Sequence, residues 1–354
     1  MRSIELFSGA GGLALAVHLA GFEHQLLVEA DDNAYQTLLH NKKKGAIPGV
    51  SSWPIINDWV ESTDLHDYRE IDLLAAGIPC QPFSNGGRRR GVEDDRNMFP
   101  VFAGALATIR PRAFLLENVN GLINGKMASH MEYIILQLSH PSSALGEGQT
   151  WQEHYDQLRT QRAEDAEYRV CFKVLNAADY GVPQIRKRVF IVGFRQGLRP
   201  SWNFPTPTHS KEALLIKQGK FEKYETKTKA WITVEEAISD LPDFGGKDAE
   251  AMQHLHIPGA RKYRGHSGSP LNWPAKSLKA GVHGIGGGEN MLRYRNGKVR
   301  YFTVRECARL QTFPDSWLFN GTWSSVTKQL GNAVPVQMAT TVVKSIKEAF
   351  SQLA

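Results

Sequence analysis

The sequence predicts an α/β protein built on a doubly wound, mostly parallel sheet, and three observations predict it. Short apolar runs of strand length recur at Ser3–Phe7, Leu26–Glu29, Ile71–Ala76, Ala113–Leu116 and Val189–Val192. Segments of helical periodicity, Leu13–Ala20 and Asn33–His40, follow the first two runs. A glycine turn, Gly9–Gly12, joins the first run to the first helix. Strands that alternate with helices pair through crossovers, which favours parallel order with helices on both faces.

Composition narrows the class further. With 354 residues, 42% hydrophobic and 22% charged side chains, the chain has material for two domains and is neither disordered, collagenous nor a disulfide miniprotein. Cys80, Cys171 and Cys307 lie far apart without C-x-x-C spacing, so no zinc knuckle and no metal is expected, and a reducing compartment is. The opening MRSIELFSGAGG lacks a signal-peptide pattern, and no window reaches the ~18 apolar residues of a membrane span. A cytoplasmic chain with no membrane partner is the expectation. The net charge of +6 suits a polyanionic partner but is slight for this length.

Three segments differ in texture. Residues 1–198 carry the strand–helix rhythm, broken by Ser139–Glu167, whose Pro, Ser, Gly, Gln and charges read as a surface insertion with some helix. Residues 199–302, containing WNFPTPTHS, RKYRGHSGSP and KAGVHGIGGGENMLRYRNGK, read as a second, smaller domain or a loop-rich substrate platform. Gln329–Phe350 returns to a helical pattern, and the segment 303–354 is expected to pack back on the first domain.

The turn Gly9-Ala10-Gly11-Gly12-Leu13-Ala14 fits G-x-G-x-x-G/A, in which missing side chains let a ligand approach the backbone at a helix N-terminus. Glu29 follows Gly9 by twenty residues at the end of the second strand, where a carboxylate accepts hydrogen bonds from ribose hydroxyls. The pair points to an adenosine-containing cofactor and does not separate NAD from S-adenosylmethionine; a tight turn beside a surface acid is the plainer alternative. Asp58, beside Trp59, stands where an acid near the third strand end can meet an adenine amino group.

Cys80 lies in Gly77-Ile78-Pro79-Cys80-Gln81-Pro82-Phe83-Ser84, a loop stiffened by prolines at a strand's C-terminal end. It reads as a nucleophile or as a small buried hydrophobe. Glu117, ending the run Phe114–Leu116, reads as a proton carrier for attack on an electron-poor ring, or as a cap or salt-bridge residue. In Gln184-Ile185-Arg186-Lys187-Arg188, strand alternation puts Arg186 and Arg188 on one face, toward the same crevice; a solvated edge is the alternative.

Taken together, these residues closely resemble the DNA (cytosine-5) methyltransferases, particularly those of bacterial modification systems. The matching blocks are ELFSGAGG (5–12), Glu29, GIPCQPFS (77–84), ENV (117–119), QIRKR (184–188), TVRECARLQTFPD (303–315) and QLGNAVPV (329–336). The resemblance implies a Rossmann-like S-adenosylmethionine-dependent fold, with residues 1–198 catalytic, 199–302 reading the target and 303–354 rejoining the catalytic domain. It implies transfer of a methyl group to C5 of a flipped-out cytosine in duplex DNA, leaving S-adenosylhomocysteine.

By the same resemblance Cys80 adds to cytosine C6, Glu117 stabilises or protonates N3, Asn118 holds the glutamate, and Arg186 and Arg188 orient the base carbonyl and the active-site loop. Arg186 is also the expected activator of the thiolate. Cofactor residues are Phe7, Gly9, Gly11, Glu29, Asp58, Pro79, Met98 (where the family commonly has a leucine-like residue), Asn332 and Val334. Gln81, Ser84, Arg88, Arg89, Arg90, Gln184 and Arg305 are the expected DNA contacts, the arginine triplet in a glycine-rich loop that closes on phosphates. Lys42–Lys44 reads as a solvated helix end. A monomer, a cognate restriction endonuclease in the same system and a nucleoid location complete the expectations. An RNA (tRNA) cytosine-5 methyltransferase is the runner-up, although the Cys-Phe-Thr tripeptide of that branch is missing. An NAD-dependent dehydrogenase would leave Cys80, Glu117 and the arginines without a joint role.

Overall fold

The structure is a computed structural model describing residues 1–79, 97–123, 128–198, 200–222, 225–264, 266–280 and 290–352. Among these, the central sheet contains β1 (Arg2–Leu6), β2 (Glu23–Glu29), β3 (Ile55–Asn57), β4 (Leu73–Gly77), β5 (Ala113–Val119), β6 (Tyr168–Asn176) and β8 (Lys187–Arg195), and the short β7 (Gln184–Ile185) lies outside it. The order is β3-β2-β1-β4-β5-β8-β6. Strands β1 to β5 run parallel, and β8 is antiparallel to both β5 and β6. The predicted doubly wound, mostly parallel sheet is present, with β8 reversed.

Alternation explains why these strands read as unbroken apolar runs. Leu27, Leu73, Ala75, Ala113, Leu115, Phe190 and Val192 enter one buried cluster; Ile4, Leu6, Val28, Leu74, Ala76, Phe114, Leu116 and Ile191 enter another. A sheet covered on both faces has no solvated face to alternate with. The first cluster is closed by α1 (Gly12–Leu19), α2 (Asp32–Lys44) and α11 (Val336–Ser351), the second by α3 (Phe99–Ile109) and α4 (Ala128–Ser139). Helix α2 begins at Asp31, whose carboxylate accepts the amides of Asn33 and Ala34, and ends in Lys42–Lys44, which complement the helix dipole. Lys347 of α11 donates to the carbonyls of Ala20 and Gly21, both at 3.0 Å, fastening the C-terminal helix to the end of α1.

The sequence pattern picks out neither β3 nor β6, and both are edge strands. In β6, Arg169, Cys171, Phe172 and Lys173 are exposed, so its periodicity is diluted. The insertion contains α5 (Trp151–Arg159), opened by a Thr150–Glu153 capping box. It packs on α4, where the Tyr133 hydroxyl lies 2.9 Å from His154 Nδ1.

Between residues 200 and 302 the elements are short: β9 (His209–Ser210) with β10 (Lys229–Ala230), α6 (Lys211–Lys217), α7 (Val234–Ile238), α8 (Lys247–Ala251), β11 (Ser269–Pro270), β12 (Ala275–Lys276), β13 (Met291–Arg293) and β14 (Val299–Tyr301). Val234, Ala275, Leu278, Leu292 and Phe302 join the same buried cluster as α1 and α11. Strand β12 pairs with β7, two residues before β8 begins. Helices α9 (Val304–Leu310) and α10 (Trp323–Asn332) then lead to α11. Among the described residues no helix is long and apolar enough to cross a membrane.

Candidate active site

The glycine turn is shaped from two sides. Gly11 has φ 88°, and a Cβ there would lie 2.8 Å from both Leu38 Cδ2 and Trp317 Cζ2. At Gly12 a Cβ would lie 2.5 Å from the Val334 carbonyl oxygen, a distance real Cβ atoms do not tolerate. The C-terminal segment therefore presses on the turn, and side chains are excluded there by packing. Over Gly9, in contrast, no described residue lies within 4 Å of a Cβ position, which leaves that face open to a ligand.

Glu29 ends β2 beside this open face. Its Oε2 accepts the Gly9 amide at 2.6 Å and its Oε1 accepts the Asp31 amide at 2.7 Å. Burial raises its pKa, and the two amides pull it down. A carboxylate offers about four lone-pair sites, so acceptor capacity remains for a hydroxyl donor. The register Glu29–Asn57 between β2 and β3 carries Asp58 to the same sheet edge, where its Oδ1 accepts the Trp59 amide at 2.8 Å. Met98 caps α3 and, like Phe7, packs against the second buried cluster. Val334 is buried within 4.0 Å of a Cβ position at Gly77; Pro79 and Asn332 are exposed.

Sequence reasoning missed Glu5. This carboxyl is fully buried on β1 behind the turn, and neither oxygen has a hydrogen-bond partner among the described residues. Burial pushes its pKa well above the ordinary carboxylate range, and Glu29 adds to the rise. A charge inside the apolar run Ile4–Leu6 was the available signal.

A second group of side chains gathers at the ends of β4 and β5. Gly77 lies opposite Glu117 in the parallel ladder, which puts the carboxylate beside the chain three residues before Cys80. Asn118 Nδ2 donates to the Ile78 carbonyl at 3.3 Å, tying β5 to that same chain, and its Oδ1 accepts the Val119 amide. Arg188 Nε stands 2.8 Å from Glu117 Oε1, with both side chains largely buried. Burial raises the Glu117 pKa, against the lowering influence of Arg188 and then Arg186. Cys80, Gln81, Ser84, Arg88, Arg89 and Arg90 lie outside the described residues.

Three expectations are corrected. Arg186 does not share a strand face with Arg188, because the chain breaks between β7 and β8 at Arg186. Its fully buried guanidinium donates through Nη1 to Ser277 Oγ and the Leu278 carbonyl, and through Nη2 to the Gly331 and Ala333 carbonyls. It ties the loop-rich region to the C-terminal segment. Gln184 is also fully buried, accepting the Leu278 amide and donating to the Leu310 carbonyl, so it is no DNA contact. Arg305 is equally inaccessible, donating to the carbonyls of Met252, Pro314 and Trp317.

Comparison with known proteins identifies the family. The C-5 cytosine-specific DNA methylase family matches residues 1–141 and 147–348. The Type II methyltransferase M.Eco47II of Escherichia coli is 31% identical over 97% of this chain and 78% of its own length. M.NgoMIV of Neisseria gonorrhoeae, another Type II methyltransferase, is 30% identical over 99% of this chain and 98% of its own. A crystal structure of the S. pombe Dnmt2 methyltransferase superposes with a TM-score of 0.62 at 18% identity, covering 99% of each chain, and shares the fold. The chain thus belongs to the C-5 cytosine-specific DNA methylase family.

Proposed function

We propose that the protein methylates C5 of a flipped-out cytosine in a specific duplex DNA sequence, using S-adenosylmethionine and a covalent bond from Cys80 to C6. The observation that carries this reading is Glu117: a buried carboxyl of raised pKa, oriented by Arg188, opposite Gly77 in the strand whose chain leads on to Cys80. Cytosine C5 is a poor nucleophile, and addition of a thiolate at C6 makes it enamine-like. A carboxyl whose pKa burial raises keeps its proton to a higher pH than an ordinary carboxyl does, and so is suited to protonate N3 as that electron density arrives. Once C5 carries the methyl group, loss of the C5 proton to solvent lets the Cys80 thiolate leave, N3 returns its proton to Glu117, and the ring regains aromaticity.

The residues around Gly9 fit an adenosyl group. The bare face of the turn admits it, and Glu29 retains lone pairs for ribose hydroxyls. Asp58 offers an acceptor for an adenine amino group, and Phe7, Gly11, Pro79, Met98, Asn332 and Val334 complete the cofactor set. When bound, S-adenosylmethionine supplies the electrophilic methyl and leaves as S-adenosylhomocysteine.

Gln81, Ser84 and Arg88–Arg90 follow Cys80 and are assigned to the DNA, the region 199–302 to target reading, and 303–354 to closing the cofactor domain. A monomer acting in the cytoplasm on nucleoid DNA, paired with a restriction endonuclease, completes the reading. The test is incubation with tritiated S-adenosylmethionine and either duplex DNA or transfer RNA. Label recovered as 5-methylcytosine in DNA is expected; label confined to RNA overturns the assignment.

A further inference from the structure

We propose that a basic cleft beside the β13–β14 hairpin, away from the cofactor turn, holds backbone phosphates of the DNA that flanks the target base. The proposal rests on the reading of the protein as a DNA methyltransferase. The open cleft has a volume of about 810 Å³ and is lined by Lys220, Lys262, Arg293 and Arg295, together with Gln218 and Asn272 and no acidic side chain.

The charges in the cleft are only partly compensated. Arg295 pairs with Glu235 at 3.0 Å on the exposed rim, and Lys220 donates to Gln218 Oε1 at 2.9 Å. Lys262 and Arg293 have no acidic partner among the described residues. Like charges held together without a counterion repel, and a chain of phosphates removes that cost.

The cleft is also built, not a chance meeting of flexible tips. Arg293 stands in β13 in register with Pro270 of β11. Gly297 has φ 82°, and a Cβ there would lie 3.4 Å from Lys262 Nζ, so the ammonium sits over bare backbone at the hairpin turn. Ser269 of β11 accepts the Lys276 amide of β12, and β12 pairs with β7, which leads directly to Arg188 at Glu117. A phosphate held in the cleft is thereby registered against the catalytic strand. Recognition of the backbone sets position and carries no base information.

The experiment compares wild type with the double variant Lys262→Ala/Arg293→Ala, titrated with a random-sequence duplex of about 30 base pairs over roughly 50 to 200 mM salt. The log–log dependence of affinity on salt should become shallower by about 1.8, since each lost phosphate contact removes ~0.9. Lys262→Gln and Arg293→Gln singly should each give about half of that change. The triple variant Lys42→Ala/Lys43→Ala/Lys44→Ala, which removes charge elsewhere, should keep the wild-type slope. A wild-type slope in the double variant, or an equal loss in the triple variant, overturns the cleft assignment alone. Failure of the wild-type protein to bind the duplex at all sinks the functional reading and the cleft with it.

Discussion

Arg188 reaches Glu117 diagonally across the β5–β8 ladder: Val119 lies opposite Arg188, Glu117 lies opposite Phe190, and the guanidinium Nε meets the carboxylate at 2.8 Å. The antiparallel turn of β8 is what makes this possible, because it brings the start of β8 to the C-terminal ends of the parallel strands. Arg188→Ala should lower single-turnover methylation by about 100-fold or more, the scale of a misplaced general acid. Cofactor affinity, measured by calorimetry, should be retained. Because Arg188 lowers the Glu117 pKa, its removal should also move the limb of the pH–rate profile set by Glu117 to higher pH. Arg188→Lys keeps the charge without the planar fork and should recover only part of the rate.

Arg186 should behave in the opposite way. Its Nη atoms satisfy four oxygens, on Ser277, Leu278, Gly331 and Ala333, inside the protein. Arg186→Ala strands those acceptors and should cost about 3 kcal/mol of stability or more. A denaturation midpoint that drops far less for Arg186→Ala than for Arg188→Ala would contradict this division of labour.

The sheet was legible because its strands are buried on both faces and therefore read as apolar runs; the edge strands β3 and β6 were not, since solvent replaces the packing that would mark them. The turn at Gly9 and the acid at Glu29 were legible from spacing alone, and the structure joins them by one 2.6 Å hydrogen bond. The fates of Arg186, Gln184 and Arg305 were not legible. Their partners are backbone carbonyls and amides from segments far away in sequence, and a charged or amide side chain looks the same in sequence whether it meets DNA or a buried carbonyl. Glu5 was passed over for the related reason that its burial depends on helices packed from both ends of the chain.

Removing the carboxylate at Glu29 separates cofactor binding from DNA binding. Glu29→Ala deletes the proposed acceptor for ribose and also frees the Gly9 and Asp31 amides that it holds. Loss of a charged hydrogen-bond partner is worth about 1.5–3 kcal/mol, so S-adenosylmethionine affinity should fall roughly 10- to 100-fold. Duplex affinity in the same titrations should change less than threefold, and the reverse ordering rejects the ribose role.

Covalent catalysis makes a prediction that concerns one atom. A duplex carrying 5-fluorocytosine at the target, incubated with S-adenosylmethionine, cannot lose a C5 proton and should leave the enzyme attached through Cys80. Mass spectrometry of the digested complex should find the adduct on the peptide containing Cys80. Cys80→Ser should abolish both the adduct and turnover while still binding the cofactor. An adduct on Cys171 or Cys307, or near-normal turnover by the serine variant, removes the proposed mechanism.

Glu5 gives a pH signature of stability. Burial raises its pKa in the native protein well above 4.5, so between the unfolded and native values the folded state binds more protons than the unfolded one. The stability it contributes is therefore fully present below the unfolded pKa and is lost as pH rises through the native value. Each tenfold difference in proton affinity between the two states is worth about 1.4 kcal/mol. Glu5→Gln mimics the neutral acid and cannot ionise. Denaturant titrations of both proteins from acid to mildly alkaline pH should show the variant gaining on the wild type as pH rises. Parallel curves would mean that Glu5 is ionised in the native state despite its burial.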